Sequence, residues 1–279
     1  MDLQEIIKQV KALAVEAGAF VRNQRECFTN DMVVAKNSHD YVSHVDKDTE
    51  DMIVKGLSAI LPEAGFVTEE GTDMSVRDLR RIMDDNYEYC WVVDPLDGTT
   101  NFIHGLSPYC ISIALRNAKE VLLAVVYEVT ANNLYHAYKG GGAYRDDVRI
   151  SVSDTPVIDD ALISLGLPYD VDKASSFYTH LSASLYGKVA SLRNLGSAEA
   201  ELCYVADGRL DAYIEPCVFP WDVAAGGLIL REAGGRVTDF RGEDALWESG
   251  REVLATNGKV HDELTRRVMS SVESVKAVF

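Results

Sequence analysis

The stretch that most constrains the chain is residues 91–102, WVVDPLDGTTNF. Trp91, Val92 and Val93 are an apolar run bounded by turn residues, which predicts a short buried strand. Asp94 stands at its end, Pro95 cannot continue a ladder, and Asp97-Gly98 makes a turn. Thr99, Thr100 and Asn101 then open a helix, because such side chains, or the turn before them, cap free N–H groups. Two carboxylates three residues apart are thus held at a strand-to-helix corner. Carboxylates collect hard cations such as Mg2+, and a helix N-terminus collects anions such as phosphate. The corner has the makings of metal-assisted phosphate chemistry. Its plain alternative is a surface turn, DPLDG, with solvated acids.

The rest of the chain builds a layered body around this corner. Residues 3–22 carry Ile6, Val10, Leu13, Ala14, Ala17 and Val21 at helical spacing, the pattern of an amphipathic helix. A short strand over 31–35, a polar loop over 36–43 and a second helix over 46–61 follow, with Pro62 as the stop. Residues 65–68 form a strand that delivers Glu69 and Glu70. Segment 72–88 is charged and reads as a surface excursion. Strands at 110–116, 121–129, 134–138, 142–144 and 148–152 are spaced for antiparallel hairpins. Gly140-Gly141-Gly142 lacks a following Lys-Ser/Thr and a helix, so it reads as a hairpin turn and not a phosphate loop.

Beyond residue 153 the pattern changes to alternating strands and helices. Strands are expected at 161–166, 189–195, 210–215, 236–239 and 253–256, and helices at 172–186, 198–206, 221–233 and 260–278. The expected fold is mixed α/β, an antiparallel-rich part (1–153) fused to a more α/β part (154–279) in one layered domain over 1–279.

The 279 residues carry a net charge of −17. A surface that acidic repels nucleic acid and anionic membranes. A phosphorylated substrate therefore needs a positive neighbour, and a divalent cation supplies one. Cys27, Cys90, Cys110, Cys203 and Cys217 are odd in number and form no CxxC pair, so they read as reduced thiols and not as disulfides or zinc ligands. No basic, apolar leader opens the chain and no run of about 18 apolar residues occurs, so a cytoplasmic protein is expected.

A second acidic corner lies at 220–227, PWDVAAGG. Asp222 starts a helix there, where the helix dipole favours an acid by under about 1 kcal/mol. That preference does not explain why Ala224, Ala225, Gly226 and Gly227 are all small. Such a run lets the helix start approach another backbone closely.

WVVDPLDGTTNF and WDVAAGGLILREAGG together resemble the two signatures of the inositol monophosphatase family, the Mg2+-dependent, lithium-sensitive phosphatases. Glu69-Glu70, Lys36, Asp46 and the stretch from Asp211 to Glu215 fit the same pattern, in order, over essentially the whole chain. The resemblance implies an αβαβα sandwich of the sugar-phosphatase type, a homodimer, and a small phosphorylated metabolite as substrate. It implies Glu69, Asp94 and the Leu96 carbonyl as ligands of one Mg2+, and Asp94, Asp97 and Asp222 as ligands of a second. A third ion is expected near Glu69, with Mn2+ as a substitute and Li+ as an inhibitor. Gly98 and Thr99 would offer N–H groups to phosphate. Gly196, Ser197, Ala198, Glu215 and Asp222 would face the substrate, and Lys36 and Glu70 would support the site. Glu69, Thr99 and Asp46 would carry the proton chemistry. Glu199 departs from the family pattern, in which a small residue is usual, and on sequence grounds it could alter the substrate pocket.

A phosphate monoester is hydrolysed so slowly in water that the catalyst must supply on the order of 20 kcal/mol. Neither signature contains a Cys or His nucleophile, and His104, just past the first, reads as a packing residue. Direct attack by water follows. Inositol 1-phosphate is the first substrate to consider. Fructose 1,6-bisphosphate, histidinol phosphate and 3′-phosphoadenosine or NADP phosphates remain open, as does a non-catalytic metal- or ligand-binding regulator.

Overall fold

The computed structural model describes residues 1–29, 33–37, 40–72, 87–167, 171–244 and 252–274, without the side chains of 33–37, 40–42 and 171–174. Helix α1 (Leu3–Glu26) starts at Asp2, whose carboxylate accepts from the Gln4 N–H at 3.0 Å and the Glu5 N–H at 3.3 Å. It outruns its predicted end by four residues. Strand β1 (Val33–Asn37) overlaps the strand expected over 31–35 and pairs antiparallel with β2 (Asp40–Ser43), which lies where a polar loop is expected. Backbone pairing there overrides the polar composition. Helix α2 (His44–Ile60) follows at once, capped by Ser43.

Seven strands then line up in sequential order: β3 (Gly65–Thr68), β4 (Cys90–Asp97), β5 (Cys110–Arg116), β6 (Val121–Glu128), β7 (Asn133–Tyr138), β8 (Gly142–Arg145) and β9 (Val148–Arg149). Only β3 and β4 pair in parallel; every later neighbour is an antiparallel hairpin partner. The turn at Gly140–Gly142 binds a carboxylate instead of a phosphate, the Gly140 and Gly142 N–H groups donating to Glu232 at 2.8 Å each.

Helix α3 (Thr99–His104) leaves β4 and is followed by β5. The second half of the chain comprises β10 (Leu162–Leu165), α4 (Val171–Leu185), β11 (Ser191–Arg193), α5 (Ala198–Ala206), β12 (Ala212–Pro216), α6 (Pro220–Glu232), β13 (Arg236–Thr238), β14 (Glu252–Thr256) and α7 (His261–Ser274). Its strands make a five-stranded mixed sheet in the order β11-β10-β12-β14-β13.

Alternation along the strands sorts the layers, because successive side chains leave opposite faces of a sheet. On β4, Trp91 and Val93 face the core under α1 and α2, while Cys90 and Val92 face the core shared with α5 and α6. On β12, Tyr213 joins that inner core, while Ala212 and Ile214 join an outer one under α4 and α7. The result is helix pair, sheet, helix pair, sheet, helix pair: the expected αβαβα order. Each fully buried aliphatic or aromatic side chain in these cores contributes about 1.5–3 kcal/mol. The inner helix pair α5–α6 has a sheet on both sides, and both helix N-termini point their first turns at the end of β4.

Candidate active site

Asp94 and Asp97 sit on one strand at a spacing that would send them to opposite faces. The ladder corrects this. Asp94 pairs with Ser112 and Asp97 with Cys110, so three steps on β4 match two on β5. The extra residue is a bulge, placed where Pro95 has no N–H to donate. Directly opposed residues of an antiparallel pair share a face, so both acids point with Ser112 and Cys110 toward α5 and α6. Both are buried, at 3% and 8% exposure. The alternative of a solvated surface turn is therefore excluded.

Burial pushes the Asp94 carboxyl well above the usual carboxylate range, and the charges of Glu69, Asp97 and Asp222 push it further. Four acids from three distant segments are thus electrostatic neighbours. Among the described residues, no three His, Cys, Asp or Glu side chains close on one point at metal-ligand spacing. The donor set itself suits a hard divalent cation: it is all oxygen and mostly carboxylate, and Leu96, whose carbonyl belongs to it, is fully buried.

Asp97 has further work. Its Oδ2 accepts from the Ser197 hydroxyl at 2.6 Å and the Glu199 N–H at 2.8 Å, and its Oδ1 accepts from the Ala198 N–H at 3.1 Å. It thereby caps α5 from a strand a hundred residues earlier, satisfying N–H groups that have no partner inside the helix. Burial still raises its pKa to about 6 against the lowering by these bonds. Gly196, Ser197 and Ala198, expected to face the substrate, meet the metal-site strand at this junction. Ser197 and Ala198 hold Asp97, and Gly196 lies beside the Asn101 amide, which donates to the Leu195 carbonyl at 2.7 Å.

Gly98 turns the chain from β4 into α3 with φ +91°, and no side chain caps this helix. Thr99 and Thr100 therefore lie inside the helix, with Gly98 as its cap. A Cβ on Gly98 would stand 3.1 Å from the Pro108 carbonyl and 3.2 Å from that of Gly196. The tight turn aims the Thr99 hydroxyl back at the site. It lies 3.0 Å from Asp46 Oδ1 and 3.0 Å from the Leu96 carbonyl. Asp46, fully buried, is fixed by Ser43, whose N–H and hydroxyl donate to Oδ2 at 2.9 and 2.7 Å. Sequence reasoning passed over Ser43, although a Ser followed three residues later by an acid is a legible helix-start signal. Ser112 left no such signal.

Glu69 follows β3 and is half-buried, its N–H donating to the Val93 carbonyl at 3.2 Å, which keeps it beside β4. Glu70 donates its N–H to Glu50 Oε2 at 2.9 Å and so ties the same turn to α2. Asp222 occupies the first turn of α6, its Oδ2 accepting from the Phe219 N–H at 2.6 Å. Glu215 leaves β12 half-buried and accepts from the Tyr213 hydroxyl; burial pushes its pKa well up. Lys36 belongs to β1, and its side chain lies outside the described residues.

Glu199, expected to bear on the substrate pocket, turns inward. Its carboxyl is completely buried, accepting from the Ser112 hydroxyl at 2.9 Å and from the Ala225 and Gly226 N–H groups of α6. Burial, then the Asp97 charge, raises its pKa to about 8. Within the small-residue run of α6, Gly226 is explained by this contact: a Cβ there would stand 2.5 Å from Glu199 Oε2 and 2.6 Å from Leu202 Cβ.

A family model described as the inositol monophosphatase family matches residues 2–275. An inositol-1-monophosphatase of Rhizobium meliloti is 38% identical over 248 residues, covering 89% of this chain and 87% of its own. A Nus factor SuhB of Vibrio cholerae is 35% identical over 243 residues, covering 87% and 88%. Among solved structures, an IMPase of Thermotoga maritima superposes with a TM-score of 0.84 at 30% identity, over 95% of this chain and 97% of that one. The extragenic suppressor protein suhB of Bartonella henselae gives 0.87 at 32% identity, over 95% and 98%.

Proposed function

Because this chain belongs to the inositol monophosphatase family, we propose that it hydrolyses a small phosphate monoester with Mg2+, inositol 1-phosphate being its substrate. One observation carries the reading: Asp94 and Asp97 share one face of β4, buried, with the charges of Glu69 and Asp222 acting on Asp94. Glu69, Asp94, the Leu96 carbonyl, Asp97 and Asp222 would hold the metal, up to three ions per site. When bound, such ions lower the pKa of a coordinated water and neutralise phosphoryl charge.

The chain's own groups do the rest. The Gly98 and Thr99 N–H groups, at a helix start, meet the phosphoryl oxygens. Glu69 takes the proton of the attacking water. The Thr99 hydroxyl has one proton and two acceptors, Asp46 and Leu96. With the Leu96 carbonyl engaged elsewhere, that proton goes to Asp46, which leaves a Thr99 lone pair to orient the water. Water oxygen bonds to phosphorus in line, the ester P–O bond breaks, and the departing alkoxide takes up a proton from solvent water while Glu69 returns its own proton to solvent. Glu215 receives a substrate hydroxyl.

The test is phosphate release from a panel of inositol, sugar, histidinol and nucleotide phosphates, with and without Mg2+ and Li+. Release from inositol 1-phosphate that requires Mg2+ and falls with Li+ is expected. No release from any phosphate would overturn the reading, and a phosphorylated side chain trapped in turnover would overturn direct water attack. The names of relatives such as Nus factor SuhB support a second reading, a binding role as a Nus factor. A chain that binds metal but releases no phosphate would favour it. Among the described residues no helix is long and apolar enough to cross a membrane. A cytoplasmic homodimer is the form to test, by light scattering and cell fractionation.

A further inference from the structure

Glu199 is a fully buried acid that the mechanism leaves unused, and it touches the surroundings of three of the site acids at once. Its own N–H donates to Asp97 at 2.8 Å. Its carboxyl accepts from the hydroxyl of Ser112, the residue directly opposite Asp94 in the β4–β5 ladder. The same carboxyl accepts from the Ala225 and Gly226 N–H groups, three and four residues beyond Asp222 on α6. These two N–H groups lie within the first two turns of the helix, where a helix ordinarily keeps its bonds to itself. A foreign carboxylate accepting there fixes both the depth and the rotation of α6. Gly226 makes the approach possible, since any Cβ would displace the carboxyl or Leu202.

We propose that Glu199 is a positioning residue for the metal site, a buried bracket that sets the spacing of Asp94, Asp97 and Asp222. The inference rests on the metal-binding reading above. Strand β5, helix α5 and helix α6 each carry or adjoin one ligand, and a group with two acceptor oxygens ties them in one place. Outer-shell partners of this kind typically change metal affinity 10–100-fold when lost.

The experiment titrates Mn2+ into metal-free protein, followed by electron paramagnetic resonance, alongside melting temperature. Glu199→Ala is expected to weaken Mn2+ binding about tenfold or more. Glu199→Gln, which keeps an acceptor for Gly226 and can donate to Ser112, is expected to restore affinity to within about threefold of wild type. Ser112→Ala is expected to fall between the two. Leu264→Ala, a cavity in the distant outer core, is expected to lower the melting temperature and leave Mn2+ binding unchanged. Should Glu199→Ala fail to fold, Ser112→Ala and Glu199→Gln decide by the same order of affinities. Wild-type Mn2+ binding in every bracket variant would overturn the proposal, as would a loss no greater than that of Leu264→Ala at matched stability. A wild-type protein that binds no Mn2+ would overturn the metal reading and this inference with it.

Discussion

The hydroxyl of Thr99 lies 3.0 Å from Oδ1 of Asp46, a carboxylate 53 positions away in the chain. Asp46 reaches this point because Ser43 fixes its other oxygen at the start of α2. Thr99 reaches it because Gly98 turns β4 sharply into α3. Two helix starts thus meet over the end of one strand.

If this pair works as a unit in orienting water, Thr99→Ala and Asp46→Asn should each lower kcat on the order of 10²–10⁴-fold. The double variant should be hardly worse than the poorer single one, because groups acting together are not additive. Steady-state kinetics of the three variants checks this. Effects that multiply would separate the two residues.

Asp94→Asn should abolish turnover and metal binding while the fold survives, since an Asn oxygen can still accept from the Leu96 N–H, now 2.9 Å from Asp94. It also removes a charge that Glu69, Asp97 and Asp222 all oppose. The metal-free variant should therefore melt no lower than wild type. Calorimetry in a chelating buffer tests the second half, and wild-type-like activity would end the metal proposal.

Gly98→Ala should cost about 1–3 kcal/mol, because φ +91° is strained for a residue with a Cβ. The new carbon would also press on Pro108, Gly196 and Ser197, each at 3.1–3.2 Å. Urea titration gives the cost. A loss below a few tenths of a kcal/mol would mean that the turn relaxes freely.

Glu215→Gln should act on substrate choice. The amide keeps one acceptor oxygen and loses the other, and one lost hydrogen bond costs about 0.5–1.5 kcal/mol, or roughly 2–10-fold in kcat/KM. The loss is expected mainly in KM and to differ between phosphates. A uniform loss of turnover on all substrates would place Glu215 in the chemistry instead.

His261 supplies a pH dependence remote from the site. It is buried, paired with the Thr238 and Thr256 hydroxyls at 3.0 and 2.9 Å. Burial first, then the Arg236 charge, lowers its pKa to about 4. The unfolded value is about 6.5, so the folded state binds its proton less readily. The stability His261 contributes is complete above pH about 6.5 and is lost as the pH falls toward 4. The raised carboxyls, Asp94 among them, have the opposite sign, so comparison with His261→Gln isolates the histidine. Its melting temperature should fall less than that of wild type between pH 7 and 4; parallel profiles would contradict this.

Most elements could be read from residue patterns. Residues 65–68, 110–116 and 198–206 form the predicted strands and helix with unchanged bounds, since periodicity reports which face of an element meets a core. The strand expected over 31–35 overlaps β1, but β2 and its pairing were missed because the pairing satisfies the backbone and leaves no apolar alternation to read. The predicted excursion over 72–88 falls mostly outside the described residues.

The two acidic corners, their order and their residue chemistry belong to the sequence alone: local rules suffice for a strand end, a proline stop, a glycine turn and a helix start. Tertiary structure alone decided what those acids do. A bulge against β5 brought Asp94 and Asp97 to one face, Asp97 became the cap of α5, and Glu199 turned inward to α6. Each of these depends on bonds between groups remote along the chain, and such bonds impose no spacing on the residues that make them.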